Sequence, residues 1–264
     1  MSYPHGPGRR AVLRGAALTT GAAVLGGAAL LGPASPAAAA PSVHGRAAWG
    51  ARPPSSPVQV LASPPLYIVV HHTATANSTD HSLAHAYSLS RAIQNHHMDT
   101  NGWADTGQQL TISRGGHVME GRDRTLPAIA AGQHVVGAHV AGNNSTCVGI
   151  ENEGTYTSVA PTAPLRNSLV ETLAWLCAAY GLNPRSAILG HRDFNATACP
   201  GDVLYAMLPE LRDAVAGLLA ARGVEAAADR PVPADLRPSY PPVPDEPWRE
   251  FDHGPAHGPD DITR

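Results

Sequence analysis

The stretch LYIVV at 66–70 runs straight into His71 and His72 and then into a threonine-rich turn. An unbroken apolar run this short is a strand buried on both faces rather than an amphipathic surface strand. Side chains alternate along a strand, so the two histidines at its end point to opposite faces of the sheet. Comparable short runs follow at Gln109–Ser113 and His117–Glu120, flanking the hairpin signal Gly115-Gly116, and then at Val135–Val140, Val148–Asn152 and Ala187–Leu189. Helical spacing lies between and after them. It covers Leu83–His97, then Leu165–Tyr180 stopped by Gly181, then Pro200–Arg222 opened by a proline and closed by Gly223. Strands interleaved with helices predict a single α/β domain over 42–223, a central mixed β-sheet flanked by α-helices.

The two ends read differently. Arg9 and Arg10 precede a weakly apolar run to Leu31 and then PASPAAAA. Residues 1–40 therefore read as an export signal, of twin-arginine type or an ordinary secretory one. The run is too short and too rich in Ala and Gly to span a bilayer. A secreted mature protein with no membrane attachment is expected. Residues 224–264 are Pro-dense (PVPADLRPSYPPVPDEPW) and then polar, which predicts a disordered or polyproline tail. Such a tail is either a solvated extension or a segment that contacts the wall or a partner.

Composition removes several functions. The chain has no lysine, so no lysine serves as acid, base or Schiff-base former. Beyond residue 40 there are 15 arginines against 21 acids and no basic cluster, which argues against nucleic acid as a partner. No internal repeat is present, and a monomer is expected.

The stretch GHRDFNATACPGD (190–202) carries the chemistry. His191 sits at a predicted strand end, and Cys199 directly precedes a predicted helix. The N–H groups and dipole of a helix N-terminus favour an anion, so Cys199 is expected to be thiolate-prone. A thiolate beside an imidazole is either a nucleophile or a metal ligand. Two neutral histidines and one thiolate would leave zinc an open tetrahedral position, the pattern of a catalytic site. Strand alternation admits only one of His71 and His72 to such a set.

Seven ordered motifs sharpen this reading. RAAWGARPP (46–54), IVVHHTAT (68–75), GWADTG (102–107), GHVMEGR (116–122), VGAHVAGNN (136–144), VGIENEG (148–154) and GHRDFNATACPGD (190–202) together resemble the peptidoglycan recognition protein / type-2 N-acetylmuramoyl-L-alanine amidase family. The resemblance covers nearly the whole domain. It implies a zinc ion in a surface groove, held by His71, His191 and Cys199. It also implies hydrolysis of the amide between the lactyl group of muramic acid and the first L-alanine of the stem peptide, with peptidoglycan or a muropeptide as partner.

Two departures bear on catalysis. Recognition-protein amidases often carry GWADIGY with a catalytic tyrosine, and this chain has Gln108 there. Glu151 matches the position of the catalytic glutamate in the bacterial cytosolic branch and takes the general-base role in this reading. Thr197 stands where bacterial relatives often have lysine, and its hydroxyl is expected to donate to the oxyanion. Each of the two also has a plainer reading, Glu151 as a hydrogen-bonding side chain and Thr197 as a turn residue. His139 either lines the groove or makes a structural hydrogen bond. Trp49 and Trp103 resemble fold-supporting residues. Cys147 and Cys177 are left over and either pair or stay as thiols. Two other functions compete with the hydrolase: a non-catalytic peptidoglycan-binding module, which Cys199 disfavours, and a cysteine hydrolase using Cys199 and His191, which leaves His71 without a role.

Overall fold

In the computed structural model the LYIVVHH stretch lies inside the sheet. The structure describes residues 40–225, 227–244 and 249–257, so the export signal expected over 1–40 lies outside the described residues apart from Ala40. The strands are β1 (Val43–His44), β2 (Val60–Leu61), β3 (Tyr67–His72), β4 (Leu110–Ile112), β5 (Val118–Glu120), β6 (His134–Val135), β7 (Cys147–Asn152) and β8 (Ile188–Gly190). Six of them form one sheet in the order β1-β5-β4-β7-β3-β8, and β2 and β6 pair separately. The β4–β5 hairpin is antiparallel, while β3 runs parallel to both β7 and β8. The sheet is therefore mixed, as the interleaved pattern predicts. The helices are α1 (Arg46–Trp49), α2 (Leu83–Asn95), α3 (Thr125–Ala130), α4 (Ala163–Tyr180), α5 (Pro184–Ala187), α6 (Asp202–Ala206) and α7 (Leu208–Ala221).

Alternation along β3 divides the core. Ile68 and Val70 join Val148, Ile150, Leu169, Leu173, Leu211 and Val215 in the large cluster beneath α4 and α7. Tyr67 and Val69 pack on the opposite face with Val140, Leu189 and Phe194. The odd-numbered side continues to His71 and the even-numbered side to His72. Cys147 lies in the cluster on the His71 side and Cys177 in the one under the helices, on opposite faces of the sheet, and no disulfide joins them. The disulfide alternative is not realised.

The ends of α4 follow its sequence. The Thr162 hydroxyl accepts from the Leu165 N–H at the start, and Gly181 adopts the left-handed conformation at the end. Three sequence expectations change. The predicted strand Val135–Val140 is only His134–Val135 in β6, because beyond it the Ala138 N–H turns to the Gly107 carbonyl and the His139 and Val140 N–H groups to Asn144 Oδ1 instead of a strand partner. The predicted helix Pro200–Arg222 is two helices with a break at Met207. Inside one continuous helix Pro209 would lack its hydrogen bond and clash with the carbonyl four residues back; in the first turn of α7 it costs nothing. The predicted disordered tail is the third. Its described part packs on the domain: Asp229 accepts from Asn183 and Ser186, Arg230 donates to the Tyr180 carbonyl, and the Tyr240 N–H donates to the Asp193 carbonyl.

Burial of one histidine sets a pH dependence for folding. His134 is enclosed beside Asn144, and its pKa is pushed down to about 4 by burial, against the opposing bond to the Asn144 carbonyl. The unfolded chain therefore binds a proton that the folded chain refuses. Stability is full above pH ~6.5 and falls as pH drops toward 4, by on the order of 3 kcal/mol from this group. Urea melts of His134→Gln across that window are expected to show a shallower acid slope than the parent protein. An unchanged slope would remove His134 from the account.

Candidate metal centre

Register places the reactive side chains. β3 and β7 pair with His71 opposite Glu151, and β4 brings Thr111 to the other side of Glu151. His71 and Glu151 are thus neighbours on the face away from α4 and α7. β8 pairs with β3 up to Gly190, so His191 emerges next to the end of β3. A single 3₁₀ turn over His191–Asp193 follows, held by the Gly190 N–H on the Asp193 carboxylate at 2.9 Å. The loop then returns Cys199 to the same place, its sulfur 3.7 Å from His71 Nδ1.

Hydrogen bonds fix which nitrogen each imidazole offers. A carbonyl can only accept, so His139 Nε2 donates to the Cys147 carbonyl (3.1 Å) and His139 Nδ1 is an acceptor. His71 Nε2 donates to it at 3.0 Å. The free lone pair of His71 is consequently on Nδ1, facing Cys199. His191 Nε2 faces two oxygens, Asn195 Oδ1 at 3.1 Å and the Pro255 carbonyl at 2.9 Å, so it donates. His191 Nδ1 is left buried with no hydrogen-bond partner among the described residues. Two oriented lone pairs and a sulfur converge, each imidazole braced through its other nitrogen, as metal-ligating histidines usually are. Burial lowers the pKa of His71 well below its ordinary value and that of His191 to about 3, with neighbouring imidazoles adding to both, so both rings are neutral donors. His71, His191, Cys199 and His253 bring one donor atom each to within 4.8 Å of one another, and all four are buried. This set could hold a metal ion, and its chemistry of imidazole nitrogen and thiol sulfur suits zinc.

The second histidine of the pair is not part of it. His72 turns to the helix side, where its Nδ1 accepts from the Tyr156 N–H at 3.3 Å. Of the two readings of His139 the structure realises the hydrogen-bonding one, and the ring is the brace behind His71. Its ring sits directly over Gly149, where an added Cβ would approach ring atoms to 2.7–2.8 Å. His139→Phe keeps the ring and loses the acceptor, and should weaken metal binding ~10–100-fold, the usual cost of losing an outer partner. A competition titration against a zinc chelator reads this directly; unchanged affinity would mean that His71 is oriented by packing alone.

Cys199 departs from expectation. α6 begins at Asp202 after Gly201, so Cys199 does not abut the helix. Burial raises its thiol pKa, although His253 and the His72 N–H at 3.4 Å work the other way. Without a metal it is therefore a protonated, buried thiol, which suits a ligand better than a free nucleophile.

Glu151 and Thr197 both face this centre. Glu151 Oε1 accepts from His253 Nε2 at 2.5 Å, and Oε2 has no partner among the described residues. Thr197 Oγ1 accepts from the Cys199 N–H at 3.0 Å and donates to the His253 carbonyl at 2.5 Å. Gln108 is buried and donates to Thr111 at 2.9 Å, one residue across the sheet from Glu151. Glu153 is drawn away to His85 (2.6 Å) and the Arg114 N–H (2.7 Å). Trp103 stacks on His97 at 4.6 Å, and Trp49 donates to the Glu120 carbonyl.

The residue that sequence reasoning missed is His253. Its only signal was a histidine in the polar stretch FDHGPAHG. Its ring lies 5.2 Å from that of His71 and 5.6 Å from that of His191. Burial opposes its protonation, but the charge of Glu151 and the hydrogen bonds to Glu151 and Cys199 outweigh it and raise its pKa well above the ordinary value in the metal-free protein. Together with Phe251, Asp252, Gly254 and Ala256 it closes a small cavity over His97, Trp103, Ala138 and Glu151.

Comparison with known proteins agrees with this geometry. The N-acetylmuramoyl-L-alanine amidase family (Amidase_2) matches residues 61–202. The human N-acetylmuramoyl-L-alanine amidase is 35% identical over 169 residues, 64% of this chain and 28% of that protein. Peptidoglycan recognition protein 1 of Bos indicus is 33% identical over 170 residues, 64% of this chain and 83% of that protein. Among solved structures, peptidoglycan recognition protein LE in complex with tracheal cytotoxin, a monomeric diaminopimelic acid-type peptidoglycan, superposes with a TM-score of 0.56 at 28% identity. That match covers 64% of this chain and 92% of the other. The chain spans less than a third of the length of the human, pig and mouse amidases it matches. No helix among the described residues is long and apolar enough to cross a membrane. On its matched motifs, its mixed sheet and its relatives, the chain belongs to the N-acetylmuramoyl-L-alanine amidase family.

Proposed function

We propose that this protein is a zinc-dependent N-acetylmuramoyl-L-alanine amidase that cleaves the lactyl–L-alanine amide of peptidoglycan. One observation carries the reading: the lone pairs of His71 and His191 and the sulfur of Cys199 converge on the face that also presents Glu151 and Thr197. His71, His191 and Cys199 would hold the ion. When bound, zinc would supply a Lewis acid that polarises the scissile carbonyl and acidifies the attacking water.

The chain's own groups account for the proton and the oxyanion. Thr197 Oγ–H, already donating to a carbonyl oxygen in this structure, donates to the substrate carbonyl as negative charge develops there. Glu151 takes the proton of the attacking water and returns it to the departing L-alanine nitrogen, so that the C–N bond breaks to a carboxylate and a free amine. Gln108 cannot replace Glu151, since a neutral amide accepts no proton. An exported protein meets its substrate outside the cytoplasm, which fits the signal read over 1–40.

The binding-only reading keeps the groove and discards the chemistry. Long incubation of the zinc-loaded protein with a purified muropeptide, followed by mass spectrometry, separates the two. The amidase yields a lactyl carboxylate on the sugar and a peptide with a free L-alanine amine, and a chelator stops it. Return of intact muropeptide by a protein that binds it would favour the binding module.

A further inference from the structure

We propose that residues 249–257 form a built-in inhibitory strap that occupies the groove as a substrate mimic, with His253 as a fourth ligand, so that the full chain is latent. This rests on the amidase reading for what is being inhibited, but not for the occupancy itself.

The strap is anchored to the domain at Phe251, Pro255 and Ala256. The Phe251 N–H donates to the Thr73 carbonyl at 3.1 Å, and the Phe251 ring lies 5.6 Å from that of His96. The Pro255 carbonyl accepts from His191 Nε2 (2.9 Å) and from the Ala141 N–H (3.1 Å), and the Ala256 carbonyl accepts from Asn144 Nδ2 (2.9 Å). Between these anchors the His253 side chain enters the metal centre and is 5% exposed.

Its groups take the places that a substrate needs. The His253 carbonyl sits on the Thr197 hydroxyl, where the scissile carbonyl must be. The His253 imidazole holds Glu151 Oε1 at 2.5 Å, where the transferred proton must be. The third obstruction is at the ion. Catalytic zinc keeps three protein ligands and one open position, and structural zinc has four. His71, His191 and Cys199 make three; the donor atom of His253, within 4.8 Å of theirs, makes four. With His253 in place the centre has the donor count of a closed site.

The fit is close enough to suggest its own test. Gly254 has φ +126°, and a Cβ there would stand 2.6 Å from Thr197 Cβ and Oγ1. Any L side chain at 254 must lift the strap from Thr197. The segment is tethered to the domain as well, through Ser239 on the Phe194 carbonyl and Tyr240 on the Asp193 carbonyl. Rebinding is therefore intramolecular, and a substrate must compete with a high local concentration of strap.

The experiment uses three zinc-loaded full-length proteins: the parent, His253→Ala and Gly254→Val. Muropeptide affinity is measured by calorimetry and hydrolysis by product analysis. A strap that covers the groove ~90–99% of the time weakens apparent binding by ~10–100-fold, so both variants should bind muropeptide more tightly by that factor. A synthetic peptide of sequence 249–257 should compete with muropeptide for Gly254→Val. X-ray absorption at the zinc edge should show three nitrogen donors and one sulfur in the parent, with one nitrogen lost in His253→Ala. If Gly254→Val fails to fold, His253→Ala gives the same reading. Equal muropeptide affinity in the parent and His253→Ala, with the same zinc donors in both, would overturn the strap. Tighter binding in the variants with no hydrolysis by any of the three would leave the strap standing and overturn the amidase reading instead.

Discussion

Cys199→Ala is expected to lose its zinc and its hydrolysis together. The donors that remain, His71, His191 and the His253 of the strap, are all imidazoles, so the substitution removes the only anionic ligand of the site. Loss of an outer partner alone costs ~10–100-fold in affinity, and loss of this ligand should cost at least 100-fold. Cys199→Ser is no rescue, because a hydroxyl is a poor ligand at neutral pH. The substitution also vacates a fully buried position whose sulfur accepts the His72 N–H. Circular dichroism must therefore accompany the metal analysis to show that the sheet is intact. A folded, metal-free and inactive protein is the expected result. Full zinc content in Cys199→Ala would mean that the three imidazoles hold the ion without the sulfur and would contradict the assignment of Cys199.

The second large effect is on the base. Glu151→Gln keeps volume and one hydrogen-bond acceptor but removes the site that takes a proton. It should retain zinc and muropeptide affinity while kcat falls by roughly 10²–10⁴, the usual worth of a positioned general base. A fall in kcat/KM of equal size with KM unchanged would place the lost interaction in the transition state. The His253 side chain donates to this carboxylate, so the Gln variant also loosens the strap. Its muropeptide binding should therefore be at least as tight as the parent's. Near-parental kcat in Glu151→Gln would exclude Glu151 as the base.

Much of this site is legible before any coordinates. The run LYIVV fixes a buried strand, and strand alternation alone states that His71 and His72 part company. What alternation cannot state is which of the two faces the groove. That depends on which face of the sheet the helices cover, and in the structure α4 and α7 cover the side of Ile68, Val70 and His72. The tautomers of His71 and His191 were also out of reach, since they are set by His139, Asn195 and Pro255, which lie 68, 4 and 64 residues away in sequence from the rings they meet.

The errors have particular causes. Val135–Val140 has the composition of a strand, yet its second half spends its N–H groups on the Gly107 carbonyl and the Asn144 side chain, partners that no local pattern contains. The helix expected directly after Cys199 starts later, and the thiol is governed by burial rather than by a helix terminus. The tail misled most. Its Pro-rich, polar composition cannot build a core of its own, but it does not need one. It lies on a finished domain through backbone groups, polar side chains such as Asp229 and Arg230, the His253 imidazole and isolated apolar side chains such as Val232 and Phe251, which leave no periodic hydrophobic signature.

The most direct test of the central claim is zinc content and zinc-edge absorption on the purified full-length protein, before and after alkylation of accessible thiols. The account predicts one zinc per chain, with one sulfur at ~2.3 Å and the remaining neighbours nitrogen at ~2.0–2.1 Å. It also predicts that the bound metal protects Cys199 from alkylation. A chain that carries no zinc, or zinc without a sulfur neighbour, while alkylation of Cys199 abolishes hydrolysis, would contradict it in favour of a cysteine hydrolase.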